Sequence, residues 1–144
     1  YLFTDKKGNP VDVLGKQNAR TNIAPPIPKI KMAWQNNWFR NNHSASMSVS
    51  WFSAVDHDAQ IVDLYQFDGQ FVPPSEIDED PIIDVRYSYF MDDFFNSAVT
   101  LSAGVNNLLD YKPTLTGQIG GFESRLINNF YRQFFVSIDF TPGG

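Results

Sequence analysis

The stretch "HSASMSVSWFSAVD", residues 43–56, alternates with a period of two. Ser44, Ser46, Ser48 and Ser50 share one face, and Ala45, Met47, Val49 and Trp51 share the other. Successive side chains of a strand point to opposite sides, so this segment predicts a strand with one polar and one apolar face. Four more segments repeat the pattern. Residues 29–36 set Ile30, Met32 and Trp34 against Lys29, Lys31 and Gln35, and residues 82–90 set Ile83, Val85, Tyr87 and Tyr89 against Asp84, Arg86 and Ser88. Residues 97–106 set Val99, Leu101, Ala103 and Val105 against Thr100, Ser102 and Gly104. Residues 132–140 set Phe134, Val136, Ile138 and Phe140 against Gln133, Ser137 and Asp139. No segment sustains the i, i+3, i+4, i+7 spacing of a helix over three turns. The sequence therefore predicts an all-β chain.

The connections carry a second signal. "NWFRNN" between the first two strands and "MDDFFN" between the third and fourth are hairpin-sized. Residues 54–81 and 107–131 are long, as are residues 5–28, which are rich in Gly, Pro and Asn. Residues 1–4 are read as the end of an earlier strand. In an antiparallel meander this alternation puts the tight turns at one end and the long loops at the other.

Composition narrows the classes. The chain of 144 residues has no cysteine, which excludes disulfides and thiolate metal sites. Its formal net charge of −5 argues against nucleic acid as a partner, which needs a basic surface. No apolar run reaches the ~18 residues of a membrane-spanning helix, and no signal peptide is visible. The opening Tyr-Leu-Phe, without an initiator Met, is read as belonging to a fragment or processed product. Aromatic residues make up 15% of the chain, yet its mean hydropathy is below zero. That combination fits apolar residues placed at every second position.

Alternation leaves the surroundings of the apolar face open: a soluble sandwich turns it inward, and a membrane barrel turns it to lipid. Two features favour lipid. Aromatics gather at strand ends, with Trp34, Trp38, Phe39, Phe90, Phe94 and Phe95 near the short turns and Trp51, Phe52, Tyr111, Phe130 and Tyr131 near the long loops. Strands of about 9–14 residues also suit a tilted membrane crossing better than the usual globular strand of about 5–6.

Motifs for catalysis are lacking. No nucleophile elbow, phosphate loop or dinucleotide fingerprint occurs, and the glycines of "TGQIGGF" are wrongly spaced for one. His43 and His57 are expected at opposite ends of one strand, too far apart to share a metal or a proton. Residues 56–80 carry Asp56, Asp58, Asp63, Asp68, Glu76, Asp78, Glu79 and Asp80 without one Lys or Arg. They lack the turn Gly and closing Glu of a calcium loop, so a solvated acidic loop is the expected reading. These residues call for no metal, no cofactor and no enzymatic activity.

The stretch "SAVTLSAGVNNLLDYKP", residues 97–113, breaks its alternation at Asn-Asn-Leu-Leu-Asp, a run suited to a strand exit. Gly104, Asn107, Leu108, Leu109, Asp110 and Pro113 resemble the penultimate strand of TonB-dependent outer-membrane receptors, with Leu109 where that family usually has Phe. "FYRQFFVSIDF" is similar to the family's last strand, with Arg132 matching and Tyr131 in place of a usual Gly. "PPIPKIKMAWQNNWFRNNHSASMSVSWFSAVDHDA" resembles the two strands and short turn before them. A departure is Thr-Pro-Gly-Gly after Phe140, where such barrels usually end.

The resemblance implies that residues 1–144 are a C-terminal fragment of an antiparallel transmembrane β-barrel of the large, plugged kind, in a Gram-negative outer membrane. It implies uptake of a scarce nutrient such as iron–siderophore, cobalamin or glycan. Its implied partners are the rest of the barrel and its plug, the TonB complex through a region absent from this chain, outer-membrane lipid and the small ligand. Turns at 37–42 and 91–96 would be periplasmic and the long loops extracellular. Tyr65, Phe67, Phe71, Phe122 and Arg125 then become candidates for ligand contact, with loop-on-loop packing the alternative. Asp84, Arg86 and Asp139 would face the lumen. A soluble all-β binding or structural module is the other reading, and a small complete outer-membrane barrel a third.

Overall fold

The structure is a computed structural model that describes residues 2–18, 24–57, 74–77, 81–92, 94–116, 126 and 131–142. Among these residues every regular element is a strand: β1 (Leu2–Thr4), β2 (Pro10–Asp12), β3 (Lys31–Arg40), β4 (His43–Phe52), β5 (Val55–Asp56), β6 (Glu76–Ile77), β7 (Ile82–Met91), β8 (Ser97–Asn106) and β9 (Gln133–Pro142). The chain divides into two units. A loop unit comprises Tyr1–Lys31, Trp51–Asp80 and Lys112–Asn129, and a sheet unit comprises Met32–Ser50, Pro81–Tyr111 and Phe130–Gly144.

The sheet unit carries a five-stranded sheet in the order β3-β4-β7-β8-β9, so the long strands are neighbours in sequence order. β4–β7, β7–β8 and β8–β9 pair antiparallel. Tight turns join β3 to β4 and β7 to β8 at one end of this meander, and the longer connections leave from the other.

Strand limits differ from the alternation in instructive ways. The first strand, expected over 29–36, is Lys31–Arg40, and its turn shrinks to Asn41 and Asn42. Asn41 takes φ 51°, the left-handed region that a tight hairpin turn demands and that Asn tolerates. Asn42 Nδ2 then donates to Phe90 O at 2.7 Å, tying the turn to β7. The second strand, expected over 43–56, ends at Phe52. Ser53 closes the hairpin instead: its N–H donates to Ile30 O at 2.9 Å, and its Oγ accepts from Ile30 N–H at 3.1 Å. His57 therefore follows β5 and does not lie at the end of the strand that begins at His43. The third and fifth strands extend to Met91 and Pro142, and the fourth spans Ser97–Asn106 as expected.

Residues 1–4 are expected as the end of an earlier strand. Leu2–Thr4 pairs with Pro10–Asp12 in a separate hairpin. The turn between them is held by Asp5, whose carboxylate accepts from the N–H groups of Lys7 and Asn9, each at 2.8 Å. These donors hold the Asp5 carboxyl below the usual carboxylate range, with the Asn9 N–H the largest cause.

The loop unit has its own small core of Val13, Val55 and Ile77, all fully buried. β5 pairs with β6, and Gln17 N–H donates to Asp56 O at 3.0 Å to add a further strand-like segment. Asn18, at φ 58°, donates through Nδ2 to the carbonyls of Val13, Lys16 and Pro25. Gly15 sits at φ 72° with the Lys29 side chain laid against it, so a side chain there would meet both strain and a clash.

Candidate functional site

Register turns five separate alternations into one surface. Met47, Val85 and Val105 stand opposite one another in turn, and Val105 stands opposite Phe134. The next rows run Ala45, Tyr87, Ala103, Val136 and then His43, Tyr89, Leu101, Ile138. Met91, Val99 and Phe140 complete the face toward the turns. A slip of one residue in any pairing would have sent a strand's apolar set to the other side. The hairpin brings Met32, Trp34 and Trp38 of β3 onto the same face, since Arg40 and His43 flank its two-residue turn.

This face is largely uncovered. Val99 is 6% exposed, but Phe134, Val136, Ile138 and Phe140 are 75%, 80%, 70% and 61% exposed. Trp34, Trp38, Tyr87 and Leu101 are exposed as well. The aromatic belts are reassigned in part. Because β3 begins at Lys31, Trp34 lies nearer the long-loop end, and Phe90 stands opposite Thr100 on the polar face. Trp38, Tyr87, Tyr89 and Phe140 make up the aromatic rim toward the turns.

The polar face carries a row of serines. Ser44, Ser88, Ser102 and Ser137 stand opposite one another across β4, β7, β8 and β9. The Ser88 and Ser102 hydroxyls hydrogen-bond at 2.8 Å, and Arg86 Nη2 donates to Ser102 Oγ at 3.1 Å. Arg86 and Asp84 share one face of β7, and each bonds toward β8 and its exit. Asp84 Oδ1 accepts from Asn107 N–H at 2.8 Å. Asp139 is exposed, opposite Thr100.

The run after β8 folds into a clasp. Asn107 and Asp110 adopt φ 53° and 56°, and Asp110 N–H donates to Asn107 O at 2.9 Å. The Asn107 side chain bonds Tyr111 twice: Nδ2 donates to Tyr111 O, and Oδ1 accepts from Tyr111 N–H, both at 2.8 Å. Leu108 N–H donates to Ile83 O at 2.7 Å, which joins the clasp to β7. On the other side Asp110 Oδ1 accepts from Arg132 N–H at 3.1 Å, and the Arg132 guanidinium stands 4.0 Å from Asp110 Oδ2 and over the Phe134 ring. Residues 83–84, 107–111 and 132 thus form one hydrogen-bonded patch at the long-loop end. It fastens the exit of β8 to β7 on one side and to the start of β9 on the other.

No family model, no curated protein and no solved structure matches the chain.

Of the residues expected to touch a ligand, Tyr65, Phe67, Phe71, Phe122 and Arg125 lie outside the described residues. So do Asp58, Asp63, Asp68, Asp78, Glu79 and Asp80 of the acidic run, while Asp56 and Glu76 face each other across β5 and β6. Among the described residues no three His, Asp or Glu side chains gather as a metal site. Sequence reasoning placed His43 at the end of a strand and missed which face it takes. Its position in the alternation puts it with Met47 and Val49 on the apolar face, where its ring lies 4.9 Å from that of Tyr89.

Proposed function

We propose that this chain is the C-terminal part of the barrel wall of a TonB-dependent outer-membrane receptor, with its apolar sheet face turned to lipid. The observation that carries the reading is the apolar face itself, continuous across the sheet and open. A soluble sheet buries such a face, because ~25 cal/mol is at stake for every Å² left in water. Lipid satisfies it without a second layer. The clasp adds support, since Asn107, Asp110 and Arg132, three of the residues that carry the resemblance, bond directly to one another or through one residue.

In this reading the polar face lines the barrel interior, where Asp84, Arg86, Asp139 and the serine row would face water or a plug. The long connections would stand outside the cell and supply part of the binding rim, with Tyr65, Phe67, Phe71, Phe122 and Arg125 as its candidate contacts. The nutrient would be held by loops and plug, and released when TonB, driven by the inner-membrane proton gradient, pulls on the plug. This chain would contribute wall and rim, and the moving part would come from elsewhere in the receptor. In the receptor, further strands of the wall would pair with the outer edges of β3 and β9.

Detergent dependence tests the reading. The purified chain should be soluble and folded only with detergent micelles. A monomer that unfolds cooperatively in plain buffer would overturn the proposal in favour of a soluble all-β module. Sequence upstream in the reading frame gives a second test: it should encode a plug domain with a short TonB-binding segment ahead of it.

A further inference from the structure

We infer that Arg40 and His43 form a phospholipid-headgroup site on the turn end of the apolar face, holding a phosphodiester. The inference rests on that face being lipid-facing, and adds a specific lipid contact to it. Arg40 ends β3 and His43 begins β4, with only Asn41 and Asn42 between them. Residues facing each other across such a turn share a sheet face, with Cα atoms about 5 Å apart. The two therefore sit side by side at the margin of a surface made otherwise of Trp, Tyr, Leu, Val and Ile.

The Arg40 side chain is exposed, and among the described residues it makes no hydrogen bond or ion pair. Arg132, at the opposite margin, is held by Asp110. A guanidinium placed at the end of an apolar band lacks only an anion, and its fork of donors matches two oxygens of one phosphate. His43 supplies the neighbouring donor. Its Nδ1 lies 2.5 Å from the Tyr87 hydroxyl and its ring lies against Tyr89. Where Tyr87 O–H donates to Nδ1, the imidazole carries its proton on Nε2, and that N–H is the donor the site would use. Tyr87 and Tyr89, with Trp38 next to Arg40 on its face, supply the amphipathic rings that settle at headgroup depth. A phosphodiester bonded to Arg40 and His43 would have its acyl chains running along the apolar face away from the turns, toward the row of Met47, Val85 and Val105.

The test uses the whole chain in dodecyl maltoside micelles, whose headgroup carries no phosphate. Dihexanoyl phosphatidylglycerol is titrated in, and the His43 ring and Arg40 Nε–H signals are followed by NMR, with dihexanoylglycerol and inorganic phosphate as separate arms. The phospholipid should shift both signals saturably, the diglyceride should leave them in place, and inorganic phosphate should bind at least about tenfold more weakly for want of the chains' burial. Arg40→Gln should raise the half-saturating concentration by roughly threefold to tenfold, and Arg40→Lys by less, since charge survives but the fork does not. His43→Gln should weaken binding too. Signals that ignore the phospholipid, or respond equally to diglyceride, overturn the site, and equal binding of inorganic phosphate reassigns it to a free anion. Quenching of tryptophan fluorescence by brominated dodecyl maltoside reports separately on whether the face meets apolar chains. Strong quenching with silent His43 and Arg40 sinks this site and leaves the lipid-facing reading standing. Absence of quenching sinks both.

Discussion

Gly104 has an ordinary strand conformation, yet no other residue fits there. A Cβ on it would collide with the Phe135 ring and with the backbone carbonyl of Val85 on the two neighbouring strands. Phe135 stands directly opposite Gly104 and lies across it, so the glycine makes room for the ring on the polar face. Gly104→Ala should destabilise the sheet by about 1–3 kcal/mol, the usual cost of overpacking, measured as a lowered guanidinium midpoint in micelles. Adding Phe135→Ala should restore only part of the loss, because the Val85 carbonyl cannot move aside. Full rescue would show that the ring alone sets the constraint. Asn107 is a second such position, buried, at φ 53° and bonded twice to Tyr111. Asn107→Ala removes the two side-chain bonds and strains the left-handed backbone, and should cost about 2–3 kcal/mol by the same measurement. Asn107→Gly relieves the strain while losing the bonds, and should fall between the variant and the native chain.

At the scale of elements, the β1–β2 hairpin depends on one carboxylate. Asp5 receives the N–H groups of Lys7 and Asn9 and the Asn9 side chain, and its pKa is lowered by these bonds. A group whose pKa is depressed by folding contributes its stability above the unfolded value, near ~3.9, and loses it as pH falls through the folded value. The Lys7 and Asn9 amide signals should therefore hold their folded positions through mild acid and collapse only below pH of about 4. In Asp5→Asn they should show no acid step, and a step that persists would mean another group holds the turn. How legible such elements were depended on how far their cause lay along the chain. The period of two revealed the long strands because each residue states its own face. Residues 37–40 read as part of a turn because Asn-Trp-Phe-Arg breaks the alternation, while pairing with β4 carries them on as strand. The clasp was visible only as a break, since its partners Ile83, Asp84 and Arg132 lie more than twenty residues away and arrive by register. Arg86 and Asp84 could be placed on a face, but no spacing in the sequence says that one meets Ser102 and the other Asn107.

Across the whole molecule, the buried apolar side chains are unevenly shared. Val13, Ala24, Phe52, Val55 and Ile77 belong to the loop unit, whereas Val99 and Tyr111 represent the sheet unit among the described residues. In the proposed reading, a five-stranded sheet held by backbone bonds would draw on an apolar medium against its open apolar face to resist unfolding. The difference between its two sides can be measured with one substitution on each. Val136, 80% exposed at the middle of β9, lies on the apolar face, and Asp139, also exposed, lies on the polar one. If detergent chains cover the first, Val136→Lys should lower stability in micelles by about 2–4 kcal/mol, the cost of a cation at the centre of an apolar layer. Asp139→Lys should stay within about 0.5 kcal/mol, as an exposed polar site does. Lowering detergent below its micellar concentration should abolish the contrast, because both positions then meet water. Equal and small effects in micelles would place water on both faces and remove the ground for a membrane wall.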